Sequence, residues 1–159
     1  MITVRPYRRE ELPAIVGRGV ETAIASLVQR DLPAGSHEAV QTQLVRMYQN
    51  ALLVPDTTIL VATWPAGVPG AGLAGYTLLM PQPNAFTGER ELVVMDIWTH
   101  PHLRGRGVGK ALLEHAAAYA RTVRCPSLTA QIALHNQASL SLFRAAGYAG
   151  ERVVVGRRL

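Results

Sequence analysis

Three glycines at alternate positions, Gly105, Gly107 and Gly109, stand between a strand-like run and a helix-like run. The run before them, Glu91 to Thr99, is the longest strand pattern in the chain. The run after them, Val108 to Arg121, sets Val108, Leu112, Ala116, Tyr119 and then Val123 along one side of a helix. Glycine accepts positive φ and lets a ligand come close to the main chain. Successive N–H groups of such a loop face one concavity. The helix behind adds its own free N–H groups and the positive end of its dipole. Arg104, Arg106 and Lys110 bring full charges to the same place. The stretch therefore reads as a phosphate site.

Two common phosphate loops do not fit it. A loop of the form G-x-x-x-x-G-K-[ST] ending at Gly109-Lys110 requires glycine and a hydroxyl residue where Arg104 and Ala111 stand. A dinucleotide fingerprint G-x-G-x-x-G requires glycine where Lys110 or Leu112 stands.

The 159 residues are enough for one domain with its own core. Apolar residues make up 48% and charged residues 17%, a balance that folds. No apolar run reaches the ~18 residues of a membrane helix, and the first residues lack a signal-peptide pattern. The expectation is a cytoplasmic protein without a membrane anchor. A single cysteine, Cys125, agrees with a reducing compartment. The net charge of +5 attracts anions. It comes almost wholly from arginines spread along the chain, which argues against a dedicated nucleic-acid surface. Five histidines and Cys125 show no ligand spacing beyond His100-x-His102, so no metal is expected.

Strands are expected at Ile2 to Arg5, Thr58 to Thr63, Leu73 to Met80, Glu91 to Thr99, Leu128 to Leu134 and Val153 to Val155. Helices are expected from about Arg9 to Arg30, from a Ser36 cap to Leu53, from Val108 to Arg121, and from an Asn136 cap to Ala146 with Gly147 as its stop. Trp64 to Gly70 reads as a turn-rich connection. The order is mixed α/β, with hairpin strands in the middle and crossovers at the end.

What does fit the loop is R-x-x-G-x-G, preceded by a strand and Pro101. Together with Ile97-Trp98-Thr99-His100-Pro101 and with Asn136, a short helix and Gly147-Tyr148, it resembles the GNAT acyltransferase family. The resemblance runs from about residue 58 to 150. It implies a single-domain α/β GNAT fold: a mixed central sheet of about six to seven strands, about four helices, and central strands splayed apart. It also implies acetyl-CoA as co-substrate, with no metal, and a primary amine of a small molecule or protein as acceptor. Backbone N–H groups of Arg104, Gly105, Arg106, Gly107, Val108, Gly109 and Lys110 would hold the pyrophosphate. The backbone of Ile97, Trp98 and Thr99 would pair with the pantetheine arm, and Asn136 would face it, unless it only caps its helix. The family often forms dimers through its last strands.

The implied reaction is direct attack by a neutral amine on the thioester. It needs a base for the amine proton, a donor for the oxyanion and a proton for the leaving thiolate. Asp96 is the first candidate base, placed by simple alternation on one face with Val94 and Trp98; the alternative is a structural aspartate. Glu91 is the second, or else a solvated strand end. His100 and His102 flank Pro101 at the loop mouth, where an ordinary loop role competes with proton transfer. The family's usual tyrosine acid is replaced by Phe143, which cannot donate a proton. Tyr148 or water could donate instead, or the thiolate could leave unaided. The competing reading is an acyl-CoA-binding module with little or no catalysis. The segments Asp31 to Ser36 and Pro81 to Arg90 are expected to border the acceptor pocket.

Overall fold

The computed structural model describes residues 1–65 and 72–159. Most of the expected Trp64 to Gly70 connection lies outside the described residues. Five strands form one sheet: β1 (Thr3–Pro6), β2 (Thr58–Trp64), β3 (Gly72–Pro83), β4 (Arg90–Thr99) and β5 (Ser127–Ala130), side by side in chain order. β1 to β4 are antiparallel neighbours, and β5 lies parallel to β4. A parallel pair needs a crossover. Helix α3 (Val108–Thr122) supplies it; the others are α1 (Leu12–Ala25), α2 (His37–Ala51) and α4 (Gln137–Ala145).

Alternation along the strands divides the core in two. Leu60 and Ala62 of β2 turn toward α3, where Leu79, Leu92, Leu112, Leu113, Ala116 and Phe143 pack. Ile59 and Val61 turn the other way, toward α1 and α2, with Ile15, Leu44, Tyr48, Tyr76 and Trp98. The sheet thus lies between two helical layers, each closing its own apolar cluster.

The helix ends follow from local chemistry. Ser36 caps α2 by accepting from the Ala39 N–H, at 3.2 Å. Asn136 caps α4 in the same way through Ser139, at 3.1 Å. The end of α4 is a Schellman motif: Gly147 donates to the Arg144 carbonyl and Tyr148 to that of Phe143, while the two aromatic rings meet edge-on. The Asn, short helix and Gly-aromatic pair seen in the sequence are thus a cap, a helix and a stop. Helix α1 ends earlier than expected, at Ala25 rather than Arg30. There the Ser26 hydroxyl donates to the Thr22 carbonyl, and the Asp31 carboxylate accepts from the Val28 N–H. Such side-chain bonds draw the chain into turns.

The sheet has five strands among the described residues, not six or seven. Val153 to Val155 form no ladder, and all three side chains are exposed. Three exposed apolar residues bury too little surface to hold a sixth strand. β5 stops at Ala130 rather than Leu134.

Candidate active site

Beyond Thr99 the chain makes one 3-10 turn, Pro101–Leu103, and runs through Arg104 to Gly107 into α3. Buried Leu103 pins the turn to the core, while Arg104 to Gly107 are exposed. Gly105 and Gly107 lie at φ of 73° and 85°. Gly107 is the residue before α3 and carries no capping side chain. The first-turn N–H groups of α3, at Val108, Gly109 and Lys110, consequently remain open at the helix N-terminus. The Gly105 and Gly107 N–H groups likewise have no partner among the described residues. A side-chain cap would have taken one of these donors. With Arg104, Arg106 and Lys110 beside them, they fit an anionic diphosphate. Among the described residues Lys110 is held only by a 3.9 Å contact with Glu114, both well exposed.

The ladder between β4 and β5 ends at Val94 and Ala130. From Asp96 to Thr99, β4 still pairs with β3 but has no β5 partner. The strands part here, and a cleft of ≈ 60 Å³ opens between them. That is room for a reacting group rather than a whole molecule. Asp96, Ile97, Asn136 and Phe143 all line it, with Thr22 of α1 and Ser26 at the end of that helix. Four residues singled out in the sequence thus meet at one fork.

A β-bulge shapes the fork. Leu78 faces Asp96 and Leu79 faces Val94, leaving Met95 as the extra residue. The bulge breaks the simple alternation. Val94 packs toward α3, whereas Asp96 and Trp98 face α1 and α2. The expected grouping of Asp96 with Trp98 stands; that with Val94 does not.

Asp96 is 8% exposed. Its Oδ2 accepts from the Tyr48 hydroxyl at 2.7 Å and from the Tyr76 hydroxyl at 2.9 Å. Thr77 donates to its carbonyl. Burial holds the Asp96 carboxyl above the ordinary carboxylate range, and the two phenol hydrogen bonds offset part of that shift. Both tyrosines are pushed far above the usual phenol range, first by burial and then by the adjacent carboxylate. Glycine at position 19 makes this packing fit, since a Cβ there would lie 2.9 Å from Asp96 Oδ2.

The other candidates sit elsewhere. Glu91 pairs with Ser127 and Gln82 at the opposite end of β4, where it accepts from Asn84. At about 3.4 Å per residue, it is roughly 17 Å from Asp96. The Pro81 to Arg90 segment closes the β3–β4 hairpin at that same far end, so it does not border the fork. Of the Asp31 to Ser36 segment, Asp31, Ala34, Gly35 and Ser36 instead line an open groove between α1 and α2. His100 stacks edge-on against Trp98 and lies against His102. The Trp98 indole N–H is buried without a partner among the described residues, and the Arg18 guanidinium lies 5.5 Å above its ring. Among the described residues no group of three potential ligands could hold a metal, and no helix is long and apolar enough to cross a membrane.

The sequence reading missed Tyr48 and Tyr76. Tyr48 lies four residues after Leu44, on the inward face of α2, and that spacing was a usable signal. Tyr76, a hydroxyl amid an apolar strand, demanded a buried partner.

The profile of the Acetyltransferase (GNAT) family matches residues 22–148. The chain belongs to this GNAT family. An uncharacterized N-acetyltransferase of Bacillus subtilis, YhfO, is 34% identical over 74 residues, 46% of this chain and 50% of that one. The L-amino acid N-acyltransferase MnaT of Escherichia coli is 32% identical over 89 residues, 48% of this chain and 52% of that one. This GNAT chain therefore spans about half the length of the curated relatives it matches. A Pyrococcus furiosus protein described as an acetyl transferase shares its fold, with a TM-score of 0.81 over 100% of both chains at 17% identity.

Proposed function

We propose that this GNAT chain is an acyltransferase that moves an acetyl group from acetyl-CoA to a primary amine. One observation carries the reading: the β4–β5 ladder opens beside an uncapped, cationic helix N-terminus, and a buried carboxylate lines the opening. Open N–H groups of Gly105, Gly107, Val108, Gly109 and Lys110 suit the diphosphate, while those of Arg104 and Arg106 donate to the Pro101 and Leu103 carbonyls. The unpaired edge of β4 from Met95 to Thr99 suits an extended amide-bearing arm, laid down as an added strand. Acetyl-CoA, when bound, supplies the activated acyl group.

The chain's own residues do the rest. Asp96 takes a proton from the incoming ammonium, leaving a neutral amine beside the cleft. Its raised proton affinity suits that exchange near neutral pH. Phe143 has no proton to give, so the CoA thiolate leaves unaided and takes its proton from water. Tyr148, edge-on to Phe143, keeps its own because burial raises its phenol. The acceptor panel starts with free L-amino acids. MnaT, to which the chain is similar, is an L-amino acid N-acyltransferase.

Acetyl-CoA at 100 times its Kd stabilises the fold by about 2.7 kcal/mol. The expected rise in melting temperature is roughly 5–11 °C, with little change from heparin. Release of CoA thiol in the presence of an amine then establishes turnover. A shift without thiol release from any amine would favour a binding module, the reading that Phe143 supports. No shift with acetyl-CoA would remove the transferase reading.

A further inference from the structure

The two tyrosines under Asp96 have a role that packing alone does not require. Tyr48 comes from α2 and Tyr76 from β3, yet both hydroxyls converge on one oxygen, Oδ2. A carboxylate oxygen offers two lone-pair sites, and the two O–H donors fill both at Oδ2. A proton arriving there would displace one of them. Oδ1 receives no side-chain hydrogen bond among the described residues; beyond the two phenols, the carboxylate accepts only from the Ile97 backbone N–H among them, which leaves a lone-pair site free. We infer that Tyr48 and Tyr76 are positioning residues that load Oδ2 of Asp96 and leave Oδ1 to take the acceptor's proton.

This rests on the transferase reading and names how its base is set. In the step, the N–H bond of the ammonium breaks and an O–H bond forms at Oδ1. The amine keeps the electron pair, and the carboxylate becomes a neutral acid. Neither phenol loses its proton, because each sits against the carboxylate in a buried site. Donation from both tyrosines steadies the charged form and so tempers the effect of burial. The surrounding groups are few. Arg18 and Glu21 lie on α1, the first of them over Trp98. His100 lies beyond Trp98 on the β4 side. The remaining polar lining of the cleft is uncharged: Thr22, Ser26, Gln131, Asn136 and Ser139.

The chain has three aspartates, Asp31, Asp56 and Asp96. Labelling aspartate with 13C at the carboxyl carbon therefore gives three titration curves, and Asp96→Asn assigns the one of interest. Tyr48→Phe and Tyr76→Phe each keep the ring and remove one donor. Each is expected to raise the Asp96 midpoint by about one pH unit. The acidic limb of kcat/KM, measured with the fastest amine of the panel, should move up by the same amount while acetyl-CoA binding stays constant. An unmoved Asp96 midpoint in both variants would overturn the loading by tyrosine, whatever the rates do. A midpoint that moves while the acidic limb stays fixed would instead overturn Asp96 as the base. The two variants lie on different elements, so failure of one to fold leaves the other to decide.

Discussion

Asp96→Asn should lower kcat by about 10²–10⁴-fold, the usual reach of a general base, while acetyl-CoA still raises the melting temperature as in the parent. The amide has nearly the same shape but cannot take up the amine proton. Stability should move the other way. Burial raises the Asp96 proton affinity above that in the unfolded chain. The folded state therefore keeps a proton over a range in which the unfolded state has released it, and stability declines as pH rises through that range. Above the raised value the parent bears the full cost of a buried carboxylate; below the unfolded value it bears none. The asparagine variant has no such dependence at this position. Its melting temperature relative to the parent should increase as pH rises from about pH 4 through the neutral range. Paired thermal melts across that range measure it. A variant that lost both activity and acetyl-CoA binding would mark Asp96 as a structural support.

Gly107→Val should weaken acetyl-CoA binding by about 100-fold, which corresponds to about 2.8 kcal/mol. Gly107 sits at φ of 85° and turns the chain into α3. A β-branched residue in that region is a true outlier, so the turn must reopen. The N–H groups on either side then lose their common aim. Hydrogen bonds to a charged group are worth about 1.5–3 kcal/mol each, so misdirecting one or two accounts for the loss. Titration calorimetry reads it directly. Arg106→Ala serves as the comparison. Its side chain is exposed, so its contribution should be smaller and fade with salt. Equal losses from the two changes would make the site a matter of charge rather than of backbone geometry.

Much of this arrangement was legible in the residues. Alternating glycines between a strand and a helix announced a loop that turns at positive φ and leaves N–H groups open at a helix start. Asn136 and Gly147 announced the limits of α4 through capping chemistry that acts within a few residues. The features that were not legible depend on partners distant in sequence. The bulge at Met95 appears only against β3, and it turns Asp96 away from Val94. Nothing in Val153 to Val155 alone tells whether an edge will be there to receive them. The tyrosines that grip Asp96 come from 48 and 20 residues away, so only the packed fold reveals their convergence.

The two-layer build of the core has a kinetic consequence. The glycine loop before α3 belongs to the α3 side of the sheet, and Asp96 faces the α1 and α2 side. Under the proposed function, donor and acceptor approach from opposite directions and meet only where β4 and β5 part. Neither has to depart before the other enters, and no side chain of the chain needs to carry the acyl group in between. Double-reciprocal plots against the two substrates should accordingly intersect rather than run parallel.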